Sequence, residues 1–235
     1  MRVERYDMGI IQHACEVYGE SHDGHSLTVW LSEAKNPRVL VLASMHGDES
    51  ETTVVLSDAL RSIRVENLSN AAILCGNPDG LVRGTRGNAY GVDLNRNFPT
   101  SNWSPKPVTY KSRENGPQDI TLSPGDHPGS EPETKALLAL LEQLKPRAVI
   151  TLHAALACID DADESFLGRR LSERTGLPME PVTYATPGSF GSWAQEHGMN
   201  LVTYEFEAAS PYDLKERHTP VLIDVLTGEI DPEGF

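Results

Sequence analysis

Cysteine is scarce in this sequence: three among 235 residues, Cys15, Cys75 and Cys158. An odd number, widely spaced and without a CxxC pair, speaks against a disulfide framework or a thiolate zinc site and fits a reducing, cytoplasmic setting. Cys75 and Cys158 adjoin apolar runs and read as small buried hydrophobes. Positive charge is also short, with 20 Lys and Arg against 34 Asp and Glu for a net charge of −14. Nucleic acids and anionic membrane surfaces both require clustered cations, so neither is expected as a partner. No run approaches the roughly 20 apolar residues of a membrane span. The first twenty residues, with charges at Arg2, Glu4, Arg5 and Asp7, hold no signal-peptide core.

What is present is an alternation of short β-branched runs with stretches of helical period. Residues 38–45 (RVLVLASM), 71–76 (AAILCG), 148–153 (AVITLH) and 201–206 (LVTYEF) are continuous enough for central strands covered on both faces, and 25–33 suits an edge strand. Val55, Leu56, Ala59, Leu60 and Ile63 recur at helical spacing, as do Leu137, Leu140, Leu141 and Leu144 behind a Ser130–Glu133 capping box. Further helices are expected around 163–175, 189–198 and 212–226. The expected fold is α/β: a single α/β/α sandwich over residues 1–235 with a mixed, mainly parallel central sheet, a length within reach of one large domain. Six of the 16 prolines fall between Pro99 and Ser130, where no period survives. A long irregular segment of this kind suits a binding loop.

In open α/β sheets ligands sit at the carboxyl ends of the strands. The first run ends in His46-Gly47-Asp48-Glu49, the third in His153, and the fourth contains Glu205. His46 and Glu49, three apart where a strand turns into a helix, can face one point, and His153 can complete a set of two imidazoles and one carboxylate. That set matches a catalytic zinc site with its fourth position open. HxxE alone occurs by chance in many chains. The segment 86–99, RGNAYGVDLNRNFP, adds weight, because Arg86 and Arg96 beside a metal site are what an anionic substrate needs.

With HGDE at 46–49, GVDLNRNFP at 91–99, His153 after a strand and Glu205 within a late strand, the sequence resembles the zinc metallocarboxypeptidase family, and NPDG, GSEPET, LACIDD and TPGSFGSW extend the likeness toward its bacterial cell-wall peptide amidases. The resemblance implies a carboxypeptidase-like fold and one zinc per chain, held by His46, Glu49 and His153. It implies Glu205 as the general base and later acid, with Glu207 as the nearby competitor, and Arg86 as the oxyanion donor. Asn95 and Arg96 correspond to the pair that grips a terminal carboxylate, and Asp93 to the carboxylate that orients a zinc-bound histidine. Tyr184 stands near the family's substrate tyrosine, with an ordinary strand tyrosine the competing reading. Asp48 departs from the arginine of pancreatic-type members and is a candidate partner for a substrate ammonium; Ser189 and Ser192 suit a small polar pocket.

The implied reaction is hydrolysis of the γ-D-glutamyl–meso-diaminopimelate bond of a murein tripeptide, a small peptide substrate, in cell-wall recycling. A zinc acyl-amino-acid deacylase of the aspartoacylase or succinylglutamate desuccinylase kind is the enzymatic alternative. A zinc-binding protein without activity is the other, and it would be expected to lack Glu205 or Arg86.

Overall fold

The computed structural model describes residues 9–33, 35–112, 118–182 and 185–233. Its centre is a seven-stranded sheet in the order β1-β2-β4-β3-β7-β9-β8. These strands are β1 (Ala14–Glu20), β2 (Ser26–Leu31), β3 (Val39–Leu42), β4 (Ala71–Ile73), β7 (Ala148–Ala154), β8 (Cys158–Asp160) and β9 (Asn200–Phe206). The inner strands β4, β3, β7 and β9 are parallel, whereas β1, β2 and β8 run antiparallel to their neighbours. Two further strands, β5 (Val108–Ser112) and β6 (Gln118–Leu122), form a separate antiparallel pair. Helices α1 (Ser50–Arg61), α2 (Pro78–Arg83), α3 (Pro132–Leu144), α4 (Phe166–Thr175), α5 (Phe190–His197) and α6 (Pro211–Thr227) complete the set.

Strand alternation builds two cores. Val39, Val41, Ile150, Leu152, Val202, Tyr204 and Phe206 face α1, α4 and α6, where Leu56, Leu60, Leu171 and Leu222 are fully buried. Leu40, Leu42, Val149 and Ile73 face the other way, against Leu137, Leu141, Phe98 and Phe190 on the side of α3 and α5. A strand apolar on both faces is what a parallel sheet between two helical layers requires. Each fully buried Leu or Ile side chain contributes roughly 1.5–3 kcal/mol relative to exposure.

The structure departs from the sequence expectations in several places, among them the unforeseen helix α2 and strand β8. The run at 25–33 is not the edge: β2 lies between β4 and β1, and β1 was unforeseen because its side chains are half-exposed and carry little apolar signal. The strands expected at 38–45 and 71–76 are shorter, Val39–Leu42 and Ala71–Ile73, and Ser44, two residues past β3, takes left-handed backbone (φ 45°). The proline-rich stretch is not wholly irregular but holds the β5–β6 pair. The Ser130–Glu133 capping box does not form: α3 begins at Pro132 behind Glu131, with no side-chain cap. Ser130 Oγ instead donates to Glu131 (2.6 Å) and accepts from Asn97 (2.9 Å), while Glu133 accepts from Asn88 at 3.2 Å. No helix among the described residues is long and apolar enough to cross a membrane.

Candidate metal centre and active site

The loop from β3 to α1 carries His46 and Glu49, with Glu49 at the N-cap of α1. Gly47 between them packs against backbone, since a Cβ there would lie 2.1 Å from the Gly80 carbonyl carbon. His153 comes from the far end of β7, paired in register with Glu205 on β9. All three proposed ligands are buried, His46 to 2%, Glu49 to 5% and His153 to 3% exposure. Their donor atoms converge: His46 Nδ1 lies 2.8 Å from Glu49 Oε1, His153 Nδ1 lies 2.8 Å from Glu49 Oε2, and the two Nδ1 atoms are 3.1 Å apart.

Two donors at about 2.0–2.1 Å from one tetrahedral zinc stand roughly 3.3 Å from each other, so this trio fits such an ion. Two imidazole nitrogens facing each other also demand a shared cation or proton. The electrostatics agree. Burial and Arg86 disfavour a charged His46, yet Glu49 and Asp93 outweigh them and push its pKa up to about 9. Burial would raise Glu49, but His46 and His153 hold it well below the usual carboxylate range.

A second layer of contacts fixes these groups. His46 Nε2 lies 3.3 Å from Asp93 Oδ1, and Arg86 Nε donates to Asp93 Oδ2 at 3.3 Å. Arg86 Nη1 donates to Glu49 Oε1 at 3.1 Å, and the guanidinium lies 4.1 Å over the Tyr110 ring. Burial opposes the Arg86 charge, but Asp93 and Glu49 more than compensate. Asp93 also caps the short 3₁₀ turn Leu94–Arg96 through the Asn95 amide (2.9 Å), which presents Asn95 and Arg96 to the same cleft. Asn95 Oδ1 accepts from the Phe190 amide at 2.8 Å, which leaves its NH₂ group to donate elsewhere.

These residues line one cavity of about 1520 Å³, with His46, Asp48, Glu49, Arg86, Asn95, Arg96, His153, Ser189, Ser192 and Glu205 in its wall. Small-molecule pockets run to roughly 300–1,000 Å³, so this cleft has room for a peptide. Along β9 the side chains of Val202, Tyr204 and Phe206 enter the core, whereas Thr203 and Glu205 face the cavity. Burial raises the pKa of Glu205, and Leu156 N donates to its Oε2 at 3.4 Å. The competitor Glu207 lies past the strand end and is held by Arg217 and by His218 at 2.8 Å. Asp48 is half-buried, with Oδ1 lacking a hydrogen-bond partner, and burial followed by Glu49 raises its pKa. Ser189 caps α5, its Oγ accepting from Ser192 N at 3.0 Å, so its hydroxyl is already engaged. Ser192 Oγ accepts from Asn102 at 3.1 Å. Tyr184 lies outside the described residues.

Sequence reasoning missed Tyr110, Thr186, Asn102 and Asp160, which line the same cavity. Alternation in 108–112 (VTYKS) against 118–122 (QDITL) was the available signal for Tyr110, since it marks a strand pair.

A layered α/β fold with two histidines and a glutamate meeting at the carboxyl ends of its parallel strands defines a class, and the chain belongs to the zinc carboxypeptidase family, whose profile matches residues 12–159. Members of this family are hydrolases. Among its relatives is murein peptide amidase A of Escherichia coli (strain K12), 39% identical over 226 residues, covering 94% of this chain and 93% of that protein. The crystal structure of the murein-tripeptide amidase from Escherichia coli O157 superimposes with a TM-score of 0.91 at 37% identity, covering 96% and 97% of the two chains. Carboxypeptidase A from Helicoverpa armigera shares the fold, with a TM-score of 0.71 at 19% identity over 91% of this chain and 67% of that one.

Proposed function

We propose that this chain is a cytoplasmic zinc-dependent amidase, a single catalytic domain that hydrolyses the γ-D-glutamyl–meso-diaminopimelate bond of murein tripeptide during cell-wall recycling. The observation that carries it is the near full-length likeness to murein peptide amidases. His46, Glu49 and His153 hold one catalytic zinc. When bound, the ion supplies Lewis-acid polarisation and lowers the pKa of a water it carries.

The remaining chemistry belongs to side chains. Glu205, raised by burial, takes the proton of the attacking water at its carboxylate and returns it to the leaving amine of diaminopimelate. Arg86 is locked by Asp93, Glu49 and Tyr110, and its guanidinium donates to the oxyanion of the tetrahedral intermediate. Asn95 NH₂ and Arg96 grip the substrate carboxylate; Arg96 Nη1 donates to the Asn95 carbonyl at 2.6 Å, which restricts the fork beforehand. Ser189 and Ser192 shape a polar wall for the distal zwitterion, and Asp48 meets its ammonium group.

A net charge of −14 repels an anionic peptide at long range, so local cations guide it. Arg86 and Arg96 line the cleft, whereas Arg83 points away, paired with Asp23 at 2.5 Å. Side-by-side hydrolysis of murein tripeptide and of acetyl- and succinyl-amino acids tests the proposal. Tripeptide turnover with the acyl-amino acids untouched is expected; the opposite preference would replace the amidase by a deacylase.

A further inference from the structure

A second cluster of metal-ligating side chains lies outside the active-site cavity, where the turn between β1 and β2 meets the start of α3. His22, Glu131 and Glu133 each bring a donor atom within 4.8 Å of the others. His22 Nε2 lies 2.9 Å from Glu131 Oε2, close to the roughly 3.3 Å expected of two donors on one tetrahedral ion. Glu133 is 3% exposed, and its Oε1 has no hydrogen-bond partner. A buried carboxylate oxygen without a partner loses its hydration with nothing in return, and a cation removes that cost.

The surroundings hold the donors in place. Asn88 Nδ2 donates to Glu131 Oε2 at 2.7 Å and to Glu133 Oε2 at 3.2 Å. Its Oδ1 accepts from the Tyr90 and Val92 amides, both at 3.1 Å, so the amide cannot turn round. Tyr90 packs on the His22 ring with centroids 4.0 Å apart. Nearby Asp79 adds a further fully buried carboxylate, engaged by Ser21 and His25. Three carboxyl side chains, Asp79, Glu131 and Glu133, are thus buried in this part of the molecule, with no lysine or arginine among these contacts.

The geometry points to a second, non-catalytic cation site at His22, Glu131 and Glu133, one nitrogen and two oxygen donors suited to a first-row divalent ion such as zinc. Asn88 supplies the hydrogen bonds that orient ligating carboxylates. Bound there, the ion clamps the β1–β2 turn to α3 and to the segment that begins at Arg86. None of the three ligands lines the active-site cavity.

Zinc content after equilibrium dialysis of the full chain against micromolar zinc tests the assignment. Wild type is expected to hold two equivalents, and His22→Ala one, with tripeptide hydrolysis at the wild-type rate. His22 is partly exposed, so its removal leaves the fold intact; Glu133→Gln, close in volume, is expected to lose the same equivalent. His153→Ala should keep the second ion while losing the catalytic one, which separates failure here from failure of the active-site reading. Equal zinc content in wild type and His22→Ala overturns the site.

Discussion

Asp93→Asn isolates what a single charge does behind the candidate metal centre. The side chain is 2% exposed and makes three contacts: the Asn95 amide at 2.9 Å, His46 Nε2 at 3.3 Å and Arg86 Nε at 3.3 Å. Asparagine keeps an oxygen for the first two, so the 3₁₀ turn and the His46 ring stay in place. It places an NH₂ group against Arg86 instead of an oxygen. At 3.3 Å and an effective dielectric constant of about 20, the lost Arg86–Asp93 attraction is about 5 kcal/mol gross. Relief of carboxylate desolvation offsets much of it. For the metal the expected loss is that of an orienting carboxylate, about 10–100-fold in affinity or roughly 1.4–2.7 kcal/mol. Competition with a chromophoric zinc chelator at pH 7 measures this, with a thermal melt confirming that the variant is folded. A zinc affinity within twofold of wild type would show that Asp93 does not act on His46, and the description of the centre would need another support.

Three further outcomes are expected. Glu205→Gln retains zinc by metal analysis but loses several orders of magnitude in turnover, because the amide cannot carry the proton; near-normal kcat would remove Glu205 from that role. Arg86→Lys keeps the charge and loses the fork, so kcat should fall by about 10²-fold, roughly 3 kcal/mol, with KM little changed; a loss confined to KM would make Arg86 a ground-state contact. His218 is held below the ordinary histidine pKa chiefly by burial. The unfolded chain therefore takes up its proton first as pH falls below about 6.5, and stability declines from there toward the lower folded pKa. Urea midpoints from pH 7.5 to 5 should show a shallower decline in His218→Gln, and identical slopes would refute the assignment.

Much of this was legible because the informative residues sit at strand ends. Continuous apolar runs at 148–153 and 201–206 announced β7 and β9, and a parallel sheet brings the residues at their carboxyl ends to one rim. His153 and Glu205, paired across that ladder, were accessible for this reason. Other features depended on contacts between distant segments. Ser130 and Glu133 spell a capping box, but Asn97 and Asn88, more than thirty residues earlier, capture both side chains. Proline density masked the β5–β6 pair, and with it Tyr110 over Arg86. Strand β1 escaped notice because a half-exposed antiparallel edge carries no continuous apolar signal.

The most direct test of the centre formed by His46, Glu49 and His153 follows metal content and murein tripeptide hydrolysis in one sample while a chelator withdraws the ion and zinc is then returned. Hydrolysis is expected to fall to background as the equivalent held by His46, Glu49 and His153 leaves and to recover on repletion in wild type, whereas His153→Ala stays inactive throughout. Undiminished hydrolysis by metal-free protein would contradict it.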